Sequence, residues 1–104
     1  MQFLFDSRGR HIANEVSGRL HAPAGRHVGH FMATLGVFVD LQGHYLGEIV
    51  RANRLMVKSR SPHRTADFCV YGDYGTAGSF GTPASPGSVG TVAGHADVAA
   101  DRLG

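Results

Sequence analysis

The sequence predicts a mainly β protein, a small antiparallel meander of four strand–turn–strand repeats with a glycine-rich C-terminal tail. Four segments align on Gly9, Gly25, Gly43 and Ser61, which lie 16, 18 and 18 residues apart. Each opens on a short, mostly apolar triplet, passes through turn-prone residues and then resumes as a second short segment. No window of residues 1–64 has a helical period, because Gly29, Gly36 and β-branched ends interrupt even the apolar stretch 27–38.

The four units read FLFDSRGRHIAN, RLHAPAGRHVGH, VFVDLQGHYLGE and LMVKSRSPHRTA. Their opening triplets are rich in strand formers. In DSRG, APAG and DLQG the final glycine can take positive φ and close a hairpin without a Cβ clash. The returning strands place a tiny residue (Ala13, Gly29, Gly47) one position after an aliphatic one (Ile12, Val28, Leu46). Gly29 and Gly47 share a strand face with Phe31 and Ile49, so a bare Cα there predicts close crossing of another strand. Links at Ser17-Gly18, Leu35-Gly36 and Ala52-Asn53 join the units into about eight short strands. Standing alone, such strands would form a thin sheet with open edges.

On these residues the chain resembles the four-fold beta-flower family, whose small bacterial domains set strand–turn–strand units around a pseudo-four-fold axis. The likeness is carried by Gly25-Arg26-His27-Val28-Gly29 and Gly43-His44-Tyr45-Leu46-Gly47 and covers residues 2–64. Pro23 within a turn, Ser61-Pro62 at the glycine step and Arg64 at an aliphatic position depart from the pattern. The resemblance implies a fold and no activity.

Composition shifts near residue 71, which divides the chain into a β-repeat domain, 1–71, and a tail, 72–104. Glycine stands at 72, 75, 78, 81, 87 and 90, with Ala84 filling the one gap in the period. Two prolines and that alanine make poor collagen, so the tail reads as a linker. Tyr74 and Phe80 nevertheless suit a segment that is tied down. The closing AGHADVAADRLG suits one or two helical turns. Cys69 is the only cysteine, which excludes an internal disulfide and fits a cytoplasmic setting. The N-terminus lacks the apolar core of a signal peptide, and no run approaches the ~20 apolar residues of a membrane span.

Charge is asymmetric along the chain. Residues 1–64 hold nine Lys/Arg against four acids, while residues 65–104 hold four aspartates against Arg102 alone. The repeats align Arg10, Arg26 and His44 just after the turn glycine, a candidate anion-binding rim. They also align His11, His27, Tyr45 and His63, a candidate ring of imidazoles. No spaced metal-ligand pair stands on a predicted element, so no metal and no cofactor is expected. Cys69 near His63 and Asp67, and His44 near Glu48, lack the set a nucleophile or acid–base pair requires. GSFGTPASPG lacks the lysine of a phosphate loop.

No catalytic residue is therefore assigned, and two functions are expected in order. The first is a structural or protein-interaction module acting as a homo-oligomer, most simply a dimer. Phe68, Val70, Tyr71, Tyr74 and Phe80 form its candidate interface. The alternative is a binder of anionic ligands or nucleic acid through the Arg/His rim.

Overall fold

The computed structural model describes residues 1–62 and 83–103. Its strands are β1 (Gln2–Phe5), β2 (His11–Val16), β3 (Arg19–His21), β4 (His27–Met32), β5 (Val37–Asp40), β6 (Tyr45–Val50), β7 (Arg54–Lys58) and β8 (His95–Asp97). A 3-10 turn follows at Ala100–Arg102. Strands β1 to β7 pair in chain order, each antiparallel to the one before. Seven alternating strands leave β1 and β7 running the same way, so the sheet can close only through a parallel pair. Phe5 and Arg54 form that pair, and Phe5 N–H donates to the Asn53 carbonyl at 2.9 Å. The result is a closed barrel in place of the open-edged sheet expected from the sequence.

The turns fall where the glycines place them. Gly9, Gly25 and Gly43 take φ of 85°, 102° and 84°, at the ends of β1, β3 and β5. The opposite ends are joined by tighter turns, including Ser17-Gly18 and Arg51-Ala52, in which both residues have positive φ. Hairpins β1–β2, β3–β4 and β5–β6 share one irregularity. Leu4 faces Ala13 while Phe5 faces His11, skipping Ile12; Val28 and Leu46 are skipped in the same way. Each is a β-bulge, and the extra residue turns the strand sharply enough for a narrow barrel.

The barrel interior is solid. Leu4, Ala13, Leu20, Val28, Phe38, Leu46 and Leu55, one from each of β1 to β7, form a single buried cluster. Val98 and Leu103 join it from the tail, beside Ala22. Glycine matters here for space. A Cβ on Gly29 would collide with the Val39 carbonyl oxygen, and one on Gly47 would lie 2.9 Å from the Met56 carbonyl oxygen. The crowding comes from the backbone of neighbouring strands in the same sheet, not from a strand crossing over the barrel.

The C-terminal segment, read as one or two helical turns, holds the 3-10 turn at Ala100–Arg102 and a strand before it. Residues 95–97 form β8, antiparallel to β7 with Met56 opposite Asp97 and Val57 opposite Ala96. β7 touches β1 only at its first residue, which leaves the rest of its edge free to take a strand. Asp97 then ties β8 to the first hairpin turn, accepting from Ser7 N–H and Ser7 Oγ at 2.8 Å each. Four strand pairs therefore surround the core, the fourth completed by the tail. Arg54, only 4% exposed, secures the seam: its Nη1 donates to the carbonyls of Asp6 and Gly87 at 3.1 and 2.6 Å. Farther along, Ser85 Oγ donates to the Gly9 carbonyl and Val89 N–H to the Ser7 carbonyl, both at 2.9 Å.

Candidate functional site

The topology gathers the turns at residues 6–10, 22–26 and 40–44 at one end of the barrel, so Arg10, Arg26 and His44 share that end. They do not surround an open mouth. Val98 and Leu103 cover it, and Arg102 Nη2 donates to Asp40 Oδ2 and the Tyr45 carbonyl at 3.1 Å each. Two of these three side chains also face a carboxylate of their own turn. Arg10 Nε lies 3.0 Å from Asp6 Oδ2, and His44 Nδ1 lies 3.8 Å from Asp40 Oδ2. Burial pushes the Asp6 carboxyl up, but hydrogen bonds from Arg10 and Arg8, together with the Arg10 charge, hold it below the ordinary carboxylate value. Arg26 is exposed, and Ala22 occupies the corresponding position of its turn. A cleft of about 380 Å³ runs between the first two turns and the tail, lined by Asp6, Arg10, Ala22, Pro23, Ala24 and Leu103 among others.

The described members of the candidate imidazole ring, His11, His27 and Tyr45, each bond to a residue of their own strand. The bulges place each returning strand's first residue on the same face as the residue three positions later, and the side chains pair within the strand. His11 Nε2 donates to Asn14 Oδ1 at 2.6 Å. Tyr45 hydroxyl donates to Glu48 Oε2 at 2.8 Å and accepts from Lys58 N–H at 3.0 Å. Burial first, then the Glu48 carboxylate, raise the Tyr45 phenol above its usual value despite the Lys58 N–H. The His27 ring lies edge-on to His30 at 4.7 Å and donates from Nε2 to the Gly29 carbonyl at 3.0 Å. His21 stands 5.4 Å from His27 and bonds the Gly25 carbonyl through Nδ1. Burial first, then the electrostatic influence of His27, Arg19 and His21, holds His30 below the usual imidazole value. Among the described residues no three His, Cys, Asp or Glu side chains are grouped to hold a metal ion. His63, Cys69 and the interface candidates Phe68, Val70, Tyr71, Tyr74 and Phe80 lie outside the described residues.

Sequence reasoning missed the far mouth of the barrel. Gln2, Glu15, Phe31 and Ile49 stand at the strand ends remote from the glycine turns, above Phe38, and line a cleft of about 250 Å³. Phe31 packs on Phe38 with ring centres 5.1 Å apart yet stays 38% exposed, and Leu35 in the turn that follows β4 is 39% exposed. The available signal was Phe31, two residues after Gly29 on the inward face of β4. Among the described residues no helix is long and apolar enough to cross a membrane. No family model matches the chain, and neither any curated protein nor any solved structure is significantly similar to it.

Proposed function

We propose that the protein is a non-catalytic interaction module, a cytoplasmic homo-dimer that works through its surfaces and is built on a four-fold repeat of the beta-flower kind. One observation carries this reading. The interior is filled from every strand and covered by the tail at one mouth, while apolar side chains, Phe31 and Leu35, stand exposed around the other. A second copy facing this mouth would bury both apolar rims about a two-fold axis. Closure of the barrel removes open sheet edges as a reason to pair, so the dimer rests on the apolar mouth. Light scattering at tens of micromolar tests it. The full chain should have twice the monomer mass, and the double variant Phe31→Ser, Leu35→Ser should be monomeric with an unchanged β spectrum. A monomeric full chain refutes the proposal.

The second reading, a binder of anionic ligands, is favoured by Arg26. Of the three cations on the candidate rim, it alone has a turn that offers no carboxylate.

A further inference from the structure

We propose that the second hairpin turn, residues 22–26, is a receptor for a carboxylate supplied by another molecule. The inference rests on the anion-binding reading and narrows it to one turn of three. All three turns share a backbone. The first residue donates to the fifth: Asp6 N–H to the Arg10 carbonyl at 2.9 Å, Ala22 to Arg26 at 2.8 Å, and Asp40 to His44 at 2.9 Å. The glycine donates back to the first residue, Gly9 to Asp6 at 3.1 Å, Gly25 to Ala22 at 2.8 Å and Gly43 to Asp40 at 3.0 Å.

In two of the turns an aspartate fills the centre. Asp6 Oδ1 accepts from the N–H groups of Arg8 and Arg10 at 2.9 Å each, while Oδ2 takes Arg10 Nε at 3.0 Å. Asp40 Oδ1 accepts from the N–H groups of Gln42 and His44 at 2.9 Å each, and Oδ2 faces the His44 ring. The second turn keeps the backbone, the glycine and the cation, but has a methyl group in place of the carboxylate. Ala24 N–H and Arg26 N–H thus occupy the places whose counterparts hold a carboxylate in the sister turns, and Arg26 stands at the turn position of Arg10 and His44. One oxygen on two amides and the other on a cation is a charge-assisted arrangement that suits a planar carboxylate. There is room for a ligand to arrive. Ala22, Pro23 and Ala24 border the cleft of about 380 Å³ opposite Asp6 and Asp97, and Arg26 lines a smaller one of about 180 Å³ with Arg102 and the Asp40 that Arg102 binds.

The test is an amide NMR titration of the full chain with sodium acetate against sodium chloride at equal ionic strength. A blocked aspartate peptide and inorganic phosphate serve as parallel probes. Acetate and the peptide should move the Ala24 and Arg26 amides saturably and leave those of Arg8, Arg10, Gln42 and His44 in place. Arg26→Gln should weaken the response about tenfold, the loss of one charge-assisted contact. Ala22→Asp should abolish it, and Asp40→Ala should make the Gln42 and His44 amides responsive in turn. Ala24 and Arg26 amides that follow acetate no further than chloride overturn the site, as does an Arg26→Gln variant that titrates like its parent. Tighter binding of phosphate overturns the choice of carboxylate. If other amides saturate while these two stay still, the turn fails and the anion reading survives; if none saturates, both fall.

Discussion

Replacing Gly29 by alanine is the sharpest probe of how this barrel closes. Gly29 is not in the left-handed region, so alanine brings no backbone strain there. On propensity alone the change should stabilise a strand by roughly 0.5–1 kcal/mol. The added Cβ, however, would collide with the Val39 carbonyl oxygen on β5, which as backbone in the middle of a paired strand cannot swing aside. Overpacking of that kind costs about 1–3 kcal/mol and outweighs the propensity gain. For a domain of this size, the net loss lowers Tm by roughly 4–10 °C. Gly47→Ala should cost less, because its Cβ would lie 2.9 Å from the Met56 carbonyl oxygen and 3.3 Å from a movable Val98 methyl. Thermal and urea unfolding followed by circular dichroism measures both. If Gly29→Ala is as stable as the parent or more so, strands β4 and β5 are not packed this closely and the account of the narrow barrel is wrong.

Three further outcomes are expected. Ala52 sits at φ 72° beside Arg51 at φ 53°, so Ala52→Gly should raise stability by about 0.5–1 kcal/mol in urea unfolding, as relief of left-handed strain exceeds the entropy glycine adds to the unfolded chain. Arg54→Ala should cost about 1–3 kcal/mol by removing the donor that joins the Asp6 and Gly87 carbonyls, with Asp6 keeping only its bond from Gly9 N–H, and hydrogen exchange should show residues 83–103 losing protection first. His30 has a lower pKa folded than unfolded, so the unfolded chain binds its proton first as pH falls. Stability should therefore hold above about pH 6.5 and decline below it, by at most about 1.4 kcal/mol per pH unit for one proton, until the folded pKa is passed. The titrating and charged neighbours are His27, His21 and Arg19, and His30→Gln should flatten the decline between pH 7.5 and 5.5 in urea unfolding.

The hairpins were legible because their information is local. A turn glycine, an apolar triplet before it and a tiny residue after it are all fixed by contacts within a dozen positions. Leu4, Leu20 and Phe38, the middle residues of the first three apolar triplets, lie in the interior. Closure was not legible. It depends on one parallel pair, Phe5 with Arg54, whose partners are far apart in the chain and leave no periodic trace. The eighth strand was hidden for a related reason. Gly94-His95-Ala96 faintly echoes the glycine, histidine and aliphatic order of the units, but Asp97 stands where they carry Ala13, Gly29 or Gly47. A polar residue at that position argues against a strand until Ser7 is seen to bind it. For the candidate rim, sequence aligned the cations correctly but could not show that the aspartates four residues before Arg10 and His44 neutralise them.

That neutralisation changes how the charge asymmetry should be read. A basic front and an acidic rear suggest attraction, yet two of the contacts that join them inside one chain are of another kind. Asp97 binds Ser7 in the first turn, and Arg102 reverses the expected direction by carrying positive charge from the acidic tail to Asp40 in the basic half. Charges engaged in this way are poor candidates for joining two chains, since pairing between copies would first have to break contacts that hold the tail to its own barrel. Exposed pairs of this sort are also worth only about 0–1 kcal/mol each. Association between copies should therefore be insensitive to salt and sensitive to the apolar rim at Phe31 and Leu35. Arg26, whose turn has no internal acid, is where added salt should matter.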